Sequence, residues 1–133
     1  MSVDPVNPAE LGPTPGYANG MLGREGGRVL FVAGQIGITP GETGTPEARM
    51  AAQFGEALRW IAVVIEAAGG KTSDVGRMTA FVTDIDLYRR CRTAIGVEWR
   101  ARFGAHYPAM ALVEVKALLD AGALVEIEAT AVI

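Results

Sequence analysis

The chain has 133 residues, 50% hydrophobic and 20% charged, with a net charge of −3 and one cysteine. That length suits one domain, residues 1–133, with a core of its own. The acidic balance without a run of Lys or Arg excludes a nucleic-acid footprint, and no apolar run is long enough to span a membrane.

Residues 1–15 hold Pro5, Pro8, Pro13 and Pro15 and show no periodicity. They read as an irregular lead-in with no signal peptide. Tyr17 follows the turn signal Pro15-Gly16. The segments Tyr17 to Leu22 and Val29 to Ile36 flank Gly23-Arg24-Glu25-Gly26-Gly27, a spacing that predicts a β-hairpin. Val29 to Ala33 is apolar throughout, as in a strand buried on both faces. Gly34 closes that run and marks a bulge or a close approach to the backbone. Thr39 to Thr45 reads as a surface loop.

A long helix is predicted from Pro46 to Ala68, capped by Thr45 and stopped by Gly69-Gly70. Met50, Phe54, Ala57, Leu58, Ile61 and Ile65 form its apolar stripe. A strand follows at Val75 to Thr83. Asp84 or Asp86 then caps a second helix, Leu87 to Phe103. Cys91 lies in that helix's stripe with Tyr88, Ile95 and Trp99, as a core thiol rather than a nucleophile. A lone thiol makes no internal disulfide, which points to a reducing, cytoplasmic setting. Arg89, Arg90 and Arg92 form a basic cluster on the solvated side of the same helix.

The chain ends in two strands of period two, Tyr107 to Val115 and Ala123 to Val132, around the turn Leu119 to Gly122. Val125, Ile127, Ala129 and Ala131 share one face of the last strand. Glu126, Glu128, Thr130 and Val132 share the other. Met110, Leu112 and Glu114 share a face of the first strand. If the two strands pair, one pocket holds Met110, Leu112 and a glutamate.

The order β-β-α-β-α-β-β predicts an α+β layer, with both helices on one face of a mixed sheet of about six strands. No helix is left for the opposite face, which implies an oligomer whose sheets face one another. No cofactor motif, phosphate loop or metal-ligand spacing occurs. The serines are only Ser2 and Ser73, and the one histidine, His106, reads as a connector whose ring bonds to backbone. What remains polar is Tyr17, Gln35, Arg102, Glu114, Glu126 and Glu128. A half-buried Glu among these suits proton relay to or from water.

Six segments, in order, resemble the Rid family of reactive intermediate deaminases, also called the YjgF family. They are Pro15-Gly16-Tyr17, Ala33-Gly34-Gln35-Ile36, Glu66-Ala67-Ala68-Gly69, Thr79 to Asp84, Pro108-Ala109-Met110-Ala111 and Val125 to Ala129. The resemblance implies a chorismate-mutase-like fold and a homotrimer with clefts between subunits. It implies hydrolysis of imines or enamines, such as 2-aminoacrylate, to a keto acid and ammonia, without a cofactor. Carried over, Glu126 and Tyr17 are the catalytic candidates, and Gly34, Met110 and Leu112 contact substrate. Which of Glu126 and Glu128 stands at the cleft depends on the register of the last strand.

Two departures bear on the substrate. Met110 stands where the family has an arginine that holds the substrate carboxylate, and Ala33 stands where it has a serine. A charge-assisted pair is worth about 1.5–3 kcal/mol. Its loss implies a substrate without a carboxylate, or with a more apolar head, or a trimer that binds a small molecule without chemistry. Arg102, near the end of the second helix, offers a substitute guanidinium across an interface. Some family members are labelled ribonucleases; the acidic charge and single histidine argue against that activity here.

Overall fold

Thr45 Oγ1 accepts from the Ala48 amide at 3.2 Å, and Pro46 occupies the first helical position. From that cap, helix α1 runs Pro46–Ala67 in the computed structural model, which describes residues 2–133. Its stripe of Met50, Phe54, Ala57, Leu58, Ile61 and Ile65 is fully buried. The other elements are β1 (Val3–Val6), β2 (Gly20–Gly23), β3 (Val29–Ile36), β4 (Val75–Val82), α2 (Ile85–Arg90), α3 (Arg92–Phe103), β5 (Ala109–Glu114) and β6 (Val125–Val132).

Four strands form one mixed sheet in the order β3-β6-β4-β5, with only the β4–β5 pair parallel. Helices α1 and α3 cover its inner face, where Val32, Met78, Ala80, Val82, Val125, Ile127, Ala129 and Ala131 are buried. The architecture is the α+β layer expected, but its six strands divide into this sheet and a two-stranded ribbon, β1–β2.

That ribbon corrects two sequence readings. β2 pairs with β1, not β3, in the register Val3↔Gly23 to Val6↔Gly20. The lead-in is therefore a strand at Val3–Val6, and Val3 is only 1% exposed. Further contacts flank the pairing. Arg24 donates to both Asp4 carboxylate oxygens at 2.7 and 3.0 Å, and its amide bonds the Ser2 carbonyl at 2.8 Å. Ser2 Oγ in turn lies within hydrogen-bond reach of Asp74 Oδ1 and of the Val132 carbonyl, its one proton serving either. The glycine-rich loop makes a tight turn, the Gly27 amide donating to the Arg24 carbonyl at 3.2 Å, but the strands it joins do not pair. It runs beside Val132, with a methyl on Gly23 placed 3.2 Å from that side chain.

β3 is not buried on both faces: Val29 and Phe31 are 57% and 79% exposed on the outer side of the sheet. One helical layer covers one face only. The second long helix also divides, at Cys91, whose amide makes a tight bond to the Tyr88 carbonyl at 3.0 Å. Leu87 and Ile95 on either side of it are buried. Asp84 caps α2 through the Leu87 amide at 2.9 Å. Cys91 is buried and donates to the Glu47 carbonyl, and burial pushes its thiol pKa up, as an inert core thiol requires. Arg89, Arg90 and Arg92 are solvated, as expected.

Candidate functional site

β3 and β6 pair as Ile36↔Glu126, Gln35↔Ile127 and Val32↔Ala129, with a shift between Val32 and Gln35. Ala33 and Gly34 are therefore a bulge opposite the single residue Glu128. The bulge turns the bare Cα of Gly34 toward the Glu126 side chain. A methyl built there would lie 2.8 Å from Glu126 Cδ and closer still to Oε1. Glu126 is half-buried in this notch, whereas Glu128, two residues on and on the same outer face, is exposed. Gln35 Nε2 donates back to the Ala33 carbonyl at 3.1 Å and steadies the bulge.

β5 and β6 do not pair, because β4 lies between them. The register Met78↔Met110 and Ala80↔Leu112 puts Met110 and Leu112 on the inner, helix-covered side, partly buried against the core. Phe81↔Glu126 and Thr79↔Glu128 put both glutamates on the outer side. The expected pocket of Met110, Leu112 and a glutamate therefore does not exist within one chain. The reason is topological: β4 lies between β5 and β6, and its register with each sends Met110 and Leu112 to one face and the glutamates to the other.

Tyr17 sits beside the other end of β5. Ala18 bridges in parallel to Ala109, and its amide donates to the Pro108 carbonyl at 3.2 Å. Tyr17 lines a mostly apolar cavity of about 490 Å³ with Val3, Pro5, Met21, His106 and Tyr107. Its hydroxyl donates to the Pro13 carbonyl at 3.4 Å. His106 is the connector expected, its Nε2 lying 2.7 Å from the Val75 carbonyl.

Arg102 lies elsewhere. It donates to Glu98 at 2.9 Å in a groove shared with Arg59, Glu66, Lys71 and Thr72, on the helical layer. Glu114 is taken up locally: its carboxylate accepts from the Ile85 amide at 3.0 Å, at the start of α2. One chain thus unites Gly34 with Glu126, and Tyr17 with the start of β5. It leaves these two groups apart and Arg102 apart from both.

Sequence reasoning missed a polar cluster at the mouth of β3 and β6. Gln53 is fully buried on α1. Its Nε2 donates to Glu42 Oε1 at 2.7 Å and to the Gly122 carbonyl at 3.1 Å, and its Oε1 accepts from the Leu124 amide at 2.8 Å. Burial would raise the Glu42 pKa. Hydrogen bonds from Gln53, the Thr39 amide and Arg49, with the Arg49 charge, outweigh it and hold the carboxyl below its ordinary range. The loop Thr39 to Thr45 is therefore tethered. The available signal was Gln53's place in the apolar stripe, between Met50 and Ala57.

Asp74, also buried, is pulled the same way. Burial opposes its charge, but the Lys71 amide, the Ser2 hydroxyl and amide, and the Lys71 charge lower its pKa on balance. Among the described residues no group of His, Cys, Asp and Glu is placed to hold a metal ion, and no helix is long and apolar enough to cross a membrane.

Residues 9–133 match the family model described as Endoribonuclease L-PSP. The chain is 34% identical over 128 residues to the 2-iminobutanoate/2-iminopropanoate deaminase of Escherichia coli strain K12, covering 94% of this chain and 91% of that one. Among solved structures, the conserved Rid-family protein YyfB of Yersinia pestis, of unknown function, superposes with TM-score 0.78 at 27% identity, both chains covered in full. Rv2704 of Mycobacterium tuberculosis, a YjgF/YER057c/UK114 family member, follows with TM-score 0.64 at 33% identity, covering 99% of this chain and 100% of that one. The chain belongs to this family, the YjgF/Rid family, and has its fold.

Proposed function

We propose that this Rid-family chain hydrolyses a small imine or enamine to a carbonyl compound and ammonia, in clefts between the subunits of a homotrimer. The observation that carries the reading is the half-buried Glu126 carboxylate in the notch over Gly34, in a chain 34% identical to a named imine deaminase. In the reaction, Glu126 takes a proton from water as the water oxygen adds to the C=N carbon, and passes it to the imine nitrogen to give the carbinolamine. It then takes the carbinolamine's hydroxyl proton and delivers it to the same nitrogen as the C–N bond breaks, leaving a carbonyl and ammonia. One water is consumed and one ammonia released, so no oxidant or cofactor enters.

Self-association supplies what one chain lacks. The outer sheet face carries Val29, Phe31 and Val113 at 57%, 79% and 43% exposure beside Glu126 and Glu128, with no helix over it among the described residues. Three copies closing on that face would set the β5 edge of one, with Tyr17, Met110 and Leu112, against Glu126 and Gly34 of the next. The ligand is a small molecule. Because Met110 offers no cation, we place the preferred substrate outside the 2-imino acids, 2-aminoacrylate included. Arg102, paired to Glu98, is a poor substitute. A free Cys91 thiol suits the cytoplasm.

An ammonia-release assay across imines with and without a neighbouring carboxylate tests the reading. Turnover of the uncharged imines supports it; a folded trimer that turns over none of them overturns it. Met110 and Ala33 favour a second reading, a trimer that binds an apolar metabolite without chemistry or serves a regulatory or chaperone-like role. Ligands that raise the melting temperature and are recovered unchanged would decide for it.

A further inference from the structure

We propose that Gln53 is a positioning residue for the Glu126–Gly34 notch. This rests on the reading of Glu126 as the group that activates water. Gln53 touches neither Glu126 nor Gly34, yet it holds the two strands that carry them. On the β6 side its Oε1 accepts from the Leu124 amide, two residues before Glu126, and its Nε2 donates to the Gly122 carbonyl. On the β3 side the chain leaves the sheet at Gly37. A methyl built there would lie 2.7 Å from the backbone carbonyl carbon of Gln53. The close approach fixes the exit of β3 on α1, just past the pair Ile36↔Glu126.

Both donors of the amide are therefore committed, and its oxygen accepts from the Leu124 amide. Both Nε2 hydrogens are used, one of them on Glu42, which also accepts from Arg49 at 3.2 and 3.3 Å. Glu42 thus holds the amide from the loop side while the strands hold it from the sheet side. A catalytic carboxylate displaced by about 1 Å loses up to about 100-fold in rate. Here two short backbone segments meet one residue, Gly37 against the Gln53 backbone and Gly122 to Leu124 against its side chain, and together set the position of Glu126 relative to the bulge.

The test uses the full chain with the Glu126 side-chain carboxyl followed by 13C NMR, beside ammonia release. Gln53→Leu is expected to lower kcat about 10- to 100-fold with KM little changed, and to move the Glu126 resonance. Gln53→Glu sets two carboxylates together and is expected to do the same. Should Gln53→Leu fail to fold, Glu42→Ala leaves the core intact and must shift the Glu126 resonance. An unmoved resonance in the folded variants overturns the proposal. If the wild type releases no ammonia from any imine, the proposed function fails by itself. The Glu126 resonance still decides for or against the role of Gln53.

Discussion

Glu126 and Gly34 are complementary: the carboxylate of one occupies the space that a side chain on the other would need, with 2.8 Å between Glu126 Cδ and a methyl built at Gly34. The contact is with the far end of a flexible side chain. Gly34→Ala is therefore expected to fold, to push the carboxylate out of the notch and to lower ammonia release at least about tenfold. Gly37→Ala meets backbone instead, 2.7 Å from the Gln53 carbonyl carbon, and neither chain can yield. It is expected to cost at least about 2 kcal/mol, read from the urea midpoint. Equal stability loss in both variants would contradict this distinction.

Met110→Arg adds a guanidinium at the partly buried position on β5. If a subunit cleft forms there, binding of a small 2-keto acid, a stable analogue of the imino acid, is expected to tighten about 10- to 100-fold. Calorimetry with pyruvate measures it. No gain in a folded trimer would place Met110 outside the cleft.

Phe31→Glu tests the apolar outer face. Phe31 is 79% exposed in the single chain, so the substitution leaves the core untouched. Buried between copies it strands a charge, a loss of several kcal/mol per site. Sedimentation is expected to show a folded monomer with the circular dichroism of the parent. A trimer unchanged by the substitution would move the interface elsewhere.

Glu42 and Asp74 both have carboxyls held below their ordinary values of 4.5 and 3.8 in the folded state. The unfolded chain then binds more protons than the folded one as acid is added. Their contribution is fully present above those ordinary values and disappears as pH falls through the depressed ones. The urea midpoint is expected to drop as pH is lowered from about 5 to about 3. In Asp74→Asn the drop is expected to be shallower. A midpoint independent of pH over that window would remove both groups from the account.

Much of the fold was legible in the residues themselves, because it follows from short-range periodicity. The stripe from Met50 to Ile65 specifies α1, Thr45 and Asp84 specify caps, and the alternation from Val125 to Val132 sorts Ile127 inward and Glu126 outward. Gly34 in a strand already pointed to a bulge. Strand partners were not legible. Period two says which residues share a face, not which strand lies alongside, so β4 between β5 and β6 separated Met110 from Glu126 without a local signal. The pairing of β1 with β2 was hidden likewise, because the contacts that flank it, of Ser2, Arg24 and Val132, are long-range. Gln53 was visible as a polar residue in an apolar stripe. Only the meeting of three distant segments around it, at Glu42, Gly122 and Leu124, gave its burial a reason.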